Sequence, residues 1–108
     1  MNIFVYMLRC SDKSYYVGLT RKGLDERIAE HHSGRFRGYT YSRRPVELVW
    51  SADFIWLTDA IACERRIKGW RREKKDMLVE TMNPDWKDLA ADWFTEELLL
   101  HGEPVKLD

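Results

Sequence analysis

Seven residues near the start of the chain, Ile3–Arg9 (IFVYMLR), constrain the fold more than any other stretch. In an extended segment Phe4, Tyr6 and Leu8 share one face and Ile3, Val5 and Met7 the other, and their β-branched and aromatic types favour a strand. With both faces apolar, this reads as a central strand. Residues 10–14 (CSDKS) form a turn by their Ser and Asp content, and a second strand over 15–19 ends near Gly18, so the pair makes a hairpin. Tyr6 and Tyr16 then lie on neighbouring strands.

The rest of the chain alternates in character. A short helix beginning at or just after Thr20 carries Leu24, Ile28 and His31 or His32 at helical spacing, and Ser33-Gly34 stops it. Residues 34–45 (GRFRGYTYSRRP) have neither period and read as an exposed loop. Residues 46–55 form a third strand. Thr58-Asp59 suits a helix start, and Ala60, Cys63, Ile67, Trp70, Met77 and Leu78 predict one helix over 58–81, with Gly69 its weak point. After Asn83-Pro84 a final acidic helix is expected over 86–100, packing back through Leu89, Trp93 and Leu98.

At 108 residues the chain suits one domain, with the domain proper over 1–82 and an acidic helical extension over 83–108 packed on it. Hydrophobic residues make up 44% and charged residues 33%, the profile of a chain that folds. There is no signal-like N-terminus and no apolar run long enough to span a membrane, so a cytoplasmic protein is expected. Cys10 and Cys63 then read as buried thiols. The zero net charge hides a division: residues 1–79 hold 16 Lys and Arg against 10 Asp and Glu, a balance of +6, and residues 80–108 hold 2 against 8, a balance of −6. Such asymmetry points to an anionic partner for the basic part and a solvated or masking role for the acidic one.

Candidate chemistry sits on separate elements. Arg27 and His31 are one helical turn apart beside Leu24, and Glu64 and Lys68 are one turn apart at the edge of an apolar stripe. A buried Tyr6 hydroxyl must find a partner. Taken singly these are ordinary features: strand tyrosines usually pack and i,i+4 charges usually form weak surface pairs. His31 and His32, about 100° apart on a helix, are poorly placed for joint metal ligation. Residues 65–75 hold seven Lys or Arg against one acid, and the loop adds Arg35, Arg37, Arg43 and Arg44, a density that suits nucleic-acid backbone contact or a solvated face. Arg65, Lys68, Arg71 and Arg72 are the helix residues expected at such a contact, and Tyr39 and Tyr41 could stack on bases.

The order of the set is more specific than its members. VY-x9-YVG-x-T, then L-x-x-R-x-x-x-H, then an acidic residue on a long basic helix, resembles the GIY-YIG nuclease superfamily, whose fold occurs in the N-terminal part of an excinuclease and in certain homing and restriction endonucleases. Residues 60–86, with an E-x-x-x-K-x-W-like helix and an Asn-Pro-x-Trp ending, are similar to the small stand-alone bacterial members. The resemblance covers about residues 1–86. It implies an α/β fold of the α+β kind, a small three-stranded antiparallel sheet flanked by helices. It further implies catalytic roles for Tyr6, Tyr16, Arg27 and His31, a metal-binding Glu64 and a structural Gly18. Phe4-Val5-Tyr6 stands where the family has Gly-Ile-Tyr, a departure that spares the tyrosine.

The activity implied is a metal-dependent endonuclease hydrolysing phosphodiester bonds in DNA, in repair or processing. A single Mg²⁺ or Mn²⁺ on one carboxylate suits an ion that keeps most of its waters. Arg27 can fork onto two phosphate oxygens, His31 can orient or relay a proton, and Tyr6 can accept one if metal or cations lower its pKa. A weakly active or inactive nucleic-acid-binding module of the same fold is the alternative. A third reading is a partner-binding domain whose acidic tail docks on the basic helix. The choice of DNA over RNA and a weak homodimer through the tail are left open.

Overall fold

The computed structural model describes residues 2–93. Strands β1 (Ile3–Arg9), β2 (Tyr15–Thr20) and β3 (Glu47–Phe54) form one antiparallel sheet in the order β2-β1-β3, so the first strand is central, as its two apolar faces require. Helix α1 (Leu24–Ser33) covers one face, where Leu24, Ile28 and Ala29 pack on Tyr6 and Leu8. Helices α2 (Leu57–Lys68) and α3 (Arg72–Met82) cover the other, where Ala60, Ile67 and Val79 pack on Val5 and Met7. Period-2 alternation along β1 thus feeds two separate cores.

Local chemistry explains the ends of α1. Asp25 and Glu26 occupy its first turn and His31 and His32 its last, matching the helix dipole, and Gly34 closes it at φ 81° with its N–H on the Glu30 and His31 carbonyls. Thr20 instead ends β2 and accepts a bond from Lys22 N–H.

Three expectations are corrected. The single helix over 58–81 is two helices: α2 starts at Leu57 with no side-chain cap, so Thr58-Asp59 fall within its first turn, and the chain breaks at 69–71. A straight helix of the expected span would run roughly 36 Å, past a sheet whose seven-residue strand is roughly 23 Å long. Breaking at Gly69, a poor helix former, lets both halves lie on the sheet. The expected helix over 86–100 is absent through Trp93, where the chain runs in turns, and the remainder lies outside the described residues.

The loop at 34–45 is also more ordered than its composition suggested. It holds a short 3-10 turn at Tyr41–Arg43, and an Arg43–Asp12 ion pair ties it to the hairpin turn.

Residues 83–90 close the outer edge of β3. Val49 has no partner on β1, a bulge that frees its carbonyl for Asn83 Nδ2 at 3.2 Å. Leu89 N–H donates to the Leu48 carbonyl at 2.8 Å, and Asp88 Oδ1 accepts from Leu48 N–H. Trp86, at a φ of 54°, is held by stacking on Tyr15 with its ring centroid 6.1 Å away, while Arg9 and Arg72 cover the outer faces of the pair. Leu89 and Ala90 then join the core on the α1 side.

Candidate active site

The hairpin register sets Tyr6 directly opposite Gly18, with Tyr16 two residues before Gly18 on the same face. Tyr6 leans across the bare glycine, so a Cβ there would lie 2.5 Å from the Tyr6 hydroxyl and 2.8 Å from Tyr16 Cε2. Only glycine lets both phenols share this corner. Their ring centroids are 6.2 Å apart.

Helix α1 brings Arg27 and His31, one turn apart, onto the phenols. The Tyr6 hydroxyl lies 2.8 Å from His31 Nε2, and Arg27 Nε donates to the Tyr6 oxygen at 3.4 Å. His31 Nδ1 lies 2.8 Å from Thr40 Oγ1. Donor counting orders this chain: with Arg27 donating to the Tyr6 oxygen, the phenol hydrogen goes to His31 Nε2, and Nδ1–H goes to Thr40. Tyr16 completes the group, its ring centroid 5.3 Å from the imidazole. The four residues singled out from three separate elements therefore converge, and no buried side-chain polar atom among the described residues lacks a partner.

Electrostatics follow from burial. Tyr6, His31 and Thr40 are each 0% exposed. Burial pushes the Tyr6 phenol well above its ordinary value, outweighing the Arg27 hydrogen bond. Arg27 alone, the cation within reach, therefore does not bring the phenol below its ordinary value. Burial, helped by the nearby Arg27 charge, lowers His31 to about 4, so the imidazole is neutral at pH 7. Burial also opposes ionisation of Glu30, yet hydrogen bonds from Lys22 and Arg27 hold it below the usual carboxylate range.

Four residues that sequence reasoning passed over complete the surroundings. Glu30 accepts from Arg27 at 2.8 Å and from Lys22 at 2.6 Å, fixing the guanidinium. Phe36 lies under Arg27 at 4.4 Å and 4.7 Å from the His31 ring. With Thr40 it comes from the aperiodic loop, where only a threonine between two tyrosines offered any signal.

Glu64 belongs to the other layer. It is paired with Lys68 at 2.6 Å and makes no hydrogen bond or ion pair with the quartet. Ala60 and Ile67 of α2 are buried against the sheet, while Asp59, Cys63 and Arg66 face Trp50 of β3 and Leu78 of α3. At 100° per residue Glu64 falls on the opposite flank, turned toward β2, the strand that carries Tyr16 and Gly18. Among the described residues no three His, Cys, Asp or Glu side chains gather to cage a metal. A single carboxylate, largely covered and paired with Lys68, fits an ion completed by water rather than one enclosed by protein.

The basic residues divide. Arg43 lies over Tyr39 at 3.8 Å, Arg37 and Arg44 flank Tyr41, and Arg72 covers Tyr15. Tyr39 itself stacks on Tyr16. The loop tyrosines are thus flanked by arginines and, for Tyr39, by Tyr16, while Tyr39 stays 40% exposed. Arg35, Arg65 and Arg71 are exposed. His31 turns inward and His32 outward, so they do not share a ligand position.

Known proteins resemble this chain in sequence and fold. A family model described as the GIY-YIG catalytic domain matches residues 2–77. The chain belongs to the GIY-YIG family. It is 42% identical over 81 residues to a UPF0213 protein of Bacillus pumilus, covering 75% of this chain and 82% of that one. To the UPF0213 protein YsiG of Lactococcus lactis it is 38% identical over 97 residues, covering 90% and 88%. The solution NMR structure of the UPF0213 protein BH0048 from Bacillus halodurans has the same fold, with a TM-score of 0.55 at 34% identity over 85% of this chain and 98% of that one. The GIY-YIG fold, with its three-stranded antiparallel sheet and three helices, is therefore established here, and the chain carries a nuclease-type domain. No helix among the described residues is long and apolar enough to cross a membrane.

Proposed function

We propose that this GIY-YIG domain is a divalent-metal-dependent endonuclease that hydrolyses phosphodiester bonds in DNA, acting in the cytoplasm. The observation that carries the reading is the buried hydrogen-bonded chain from Arg27 through Tyr6 and His31 to Thr40. Its chemistry suits proton relay. A phenol raised by burial does not exist as free tyrosinate at neutral pH, so Tyr6 acts by passing its own proton to His31 Nε2 as it takes one from the attacking water. Arg27, hydrogen-bonded to the same oxygen, holds the phenol in place and offers its remaining N–H groups to the phosphate, where negative charge develops. Tyr16 positions the network.

Glu64 is the residue that would hold a Mg²⁺ or Mn²⁺ ion, and Lys68 would have to release it. Such an ion supplies positive charge to the leaving oxygen. Arg35, Arg65 and Arg71, with Lys68 at the end of α2, Arg72 at the start of α3 and the loop arginines Arg37, Arg43 and Arg44, would carry the backbone of the nucleic acid.

Two observations favour a second reading, a nucleic-acid-binding module without turnover: Tyr6 and His31 are fully covered, and Glu64 is already neutralised by Lys68. The test is nicking of supercoiled plasmid by the purified protein with Mg²⁺ or Mn²⁺. Turnover lost by at least a hundredfold on Tyr6→Phe and on Glu64→Ala, with the fold intact by circular dichroism, is the expected result. Salt-sensitive binding with no cleavage by the unaltered protein would establish the module instead.

A further inference from the structure

On the face of the sheet away from the quartet, α2, α3 and β3 enclose an open cavity of about 300 Å³. We propose that this cavity is a second nucleic-acid subsite, which takes one unpaired base bearing an exocyclic amine. The inference rests on the functional reading above only in taking nucleic acid as the partner.

Size and lining match such a guest. The volume lies at the lower end for small-molecule sites, and the walls are largely apolar, with the indoles of Trp50 and Trp70 among them. Indoles are strong stacking surfaces for bases, whatever the sequence. Two charged groups line the cavity, Asp59 and Arg66, and neither forms an ion pair among the described residues. A carboxylate accepts from the amino groups of adenine, cytosine and guanine, which thymine and uracil lack, and a guanidinium donates to ring or carbonyl acceptors.

The approach is equally suited. Lys74 sits over the Trp70 ring at 4.5 Å, placing an ammonium beside the opening. A shallower apolar groove of about 190 Å³ shares Trp70 and Leu78 and continues along α3 past Lys74. Residues 65–75, which edge both, hold seven Lys or Arg against one acid. An apolar slot in so basic a surface fits a strand whose phosphates lie outside while one base turns in.

The experiment uses ¹⁵N-labelled full-length protein and three DNA hairpins: one with a single extrahelical adenine, one with an extrahelical thymine, and one with an abasic site at the same position. The adenine hairpin should shift the indole N–H signals of Trp50 and Trp70 saturably, with the thymine hairpin weaker and the abasic one silent at those signals. Trp70→Ala should weaken adenine-hairpin binding about tenfold. Because Trp70 also packs, Ala62→Phe, which fills the cavity from its exposed rim, should give the same loss. Equal indole shifts with the abasic hairpin, or unchanged affinity in both variants, would overturn the proposal. So would indole shifts in DNA-free protein on removing the residues after Trp93, since the cavity would then belong to the acidic tail. That cut spares Leu89 and Ala90, which a cut after Trp86 would strip from the core. Base-dependent shifts in a protein that nicks no DNA would defeat the endonuclease reading and leave this one standing.

Discussion

Tyr6 and Met7 are neighbours on one strand, both fully buried, and they live in different surroundings. The Tyr6 side of the sheet sets a buried polar chain, with every group partnered, beside its apolar core of Leu8, Leu24, Ile28 and Leu48. The Met7 side is filled by aliphatic and aromatic groups against two helices and leaves an open cavity at its rim. Polar groups under a helix demand complete pairing, because an orphan costs its full desolvation, so that face closes tightly. Apolar packing is non-directional and tolerates an imperfect join where α2 breaks into α3. The contrast lies in how each face is held: one joins a paired polar chain to its apolar core, while the other is apolar throughout its buried interior.

The largest effect is expected on the apolar side. Met7→Ala should lower unfolding free energy by about 2 to 5 kcal/mol, measured by urea denaturation, while the plasmid-nicking rate well below the melting temperature stays within twofold. A loss of rate matching the loss of stability would show that the two faces are not separable.

A smaller effect sharpens the polar side. His31 is neutral in the fold down to about pH 4, whereas in the unfolded chain it takes up a proton near 6.5. Between those values the unfolded state binds more protons, so stability is full above pH 6.5 and is lost as pH falls toward 4, by about 2 to 3 kcal/mol. His32, exposed at its surface yet lowered by partial desolvation, acts in the same direction, and Glu30 and Asp12 add their share only below the ordinary carboxylate range. His31→Gln should flatten the 6.5-to-4 portion of the stability profile. An unchanged profile would mean that His31 is not the group that resists protonation.

The smallest effect tests the far end of the relay. Thr40→Val leaves His31 Nδ1–H without an acceptor and should cost about 1 to 2 kcal/mol, with the imidazole ¹⁵N shifts moving toward the other tautomer. Thr40→Ser should restore both. Full stability and an unmoved tautomer in Thr40→Val, with the loss appearing in Thr40→Ser instead, would reduce Thr40 to a packing residue.

Much of this molecule was legible beforehand because its signals are local. Alternation in Ile3–Arg9 names the β1 residues of both cores, Gly34 ends α1, and the hairpin puts Tyr6 and Tyr16 on neighbouring strands. The quartet was legible as a pattern of types in order. What escaped depended on partners remote in sequence. The apolar periodicity of 58–81 runs through Gly69 unbroken, and only the short sheet beneath disfavours a continuous helix. Residues 86–93 looked helical, yet Asp88 and Asn83 bond to β3 and hold the segment in turns. Thr40 and Phe36 lie in a loop without a period, so nothing nearby announces the imidazole and guanidinium they meet.

The sequence by itself determined the central strand, the hairpin, the first helix and the identity of the polar set, since side-chain alternation and backbone preference act over a few residues. Only the tertiary structure decided that Tyr6 stays protonated, that His31 stays neutral and that Glu64 stands in the opposite layer. Those outcomes depend on how much water is removed from each group and which charges face it, and distant segments set both.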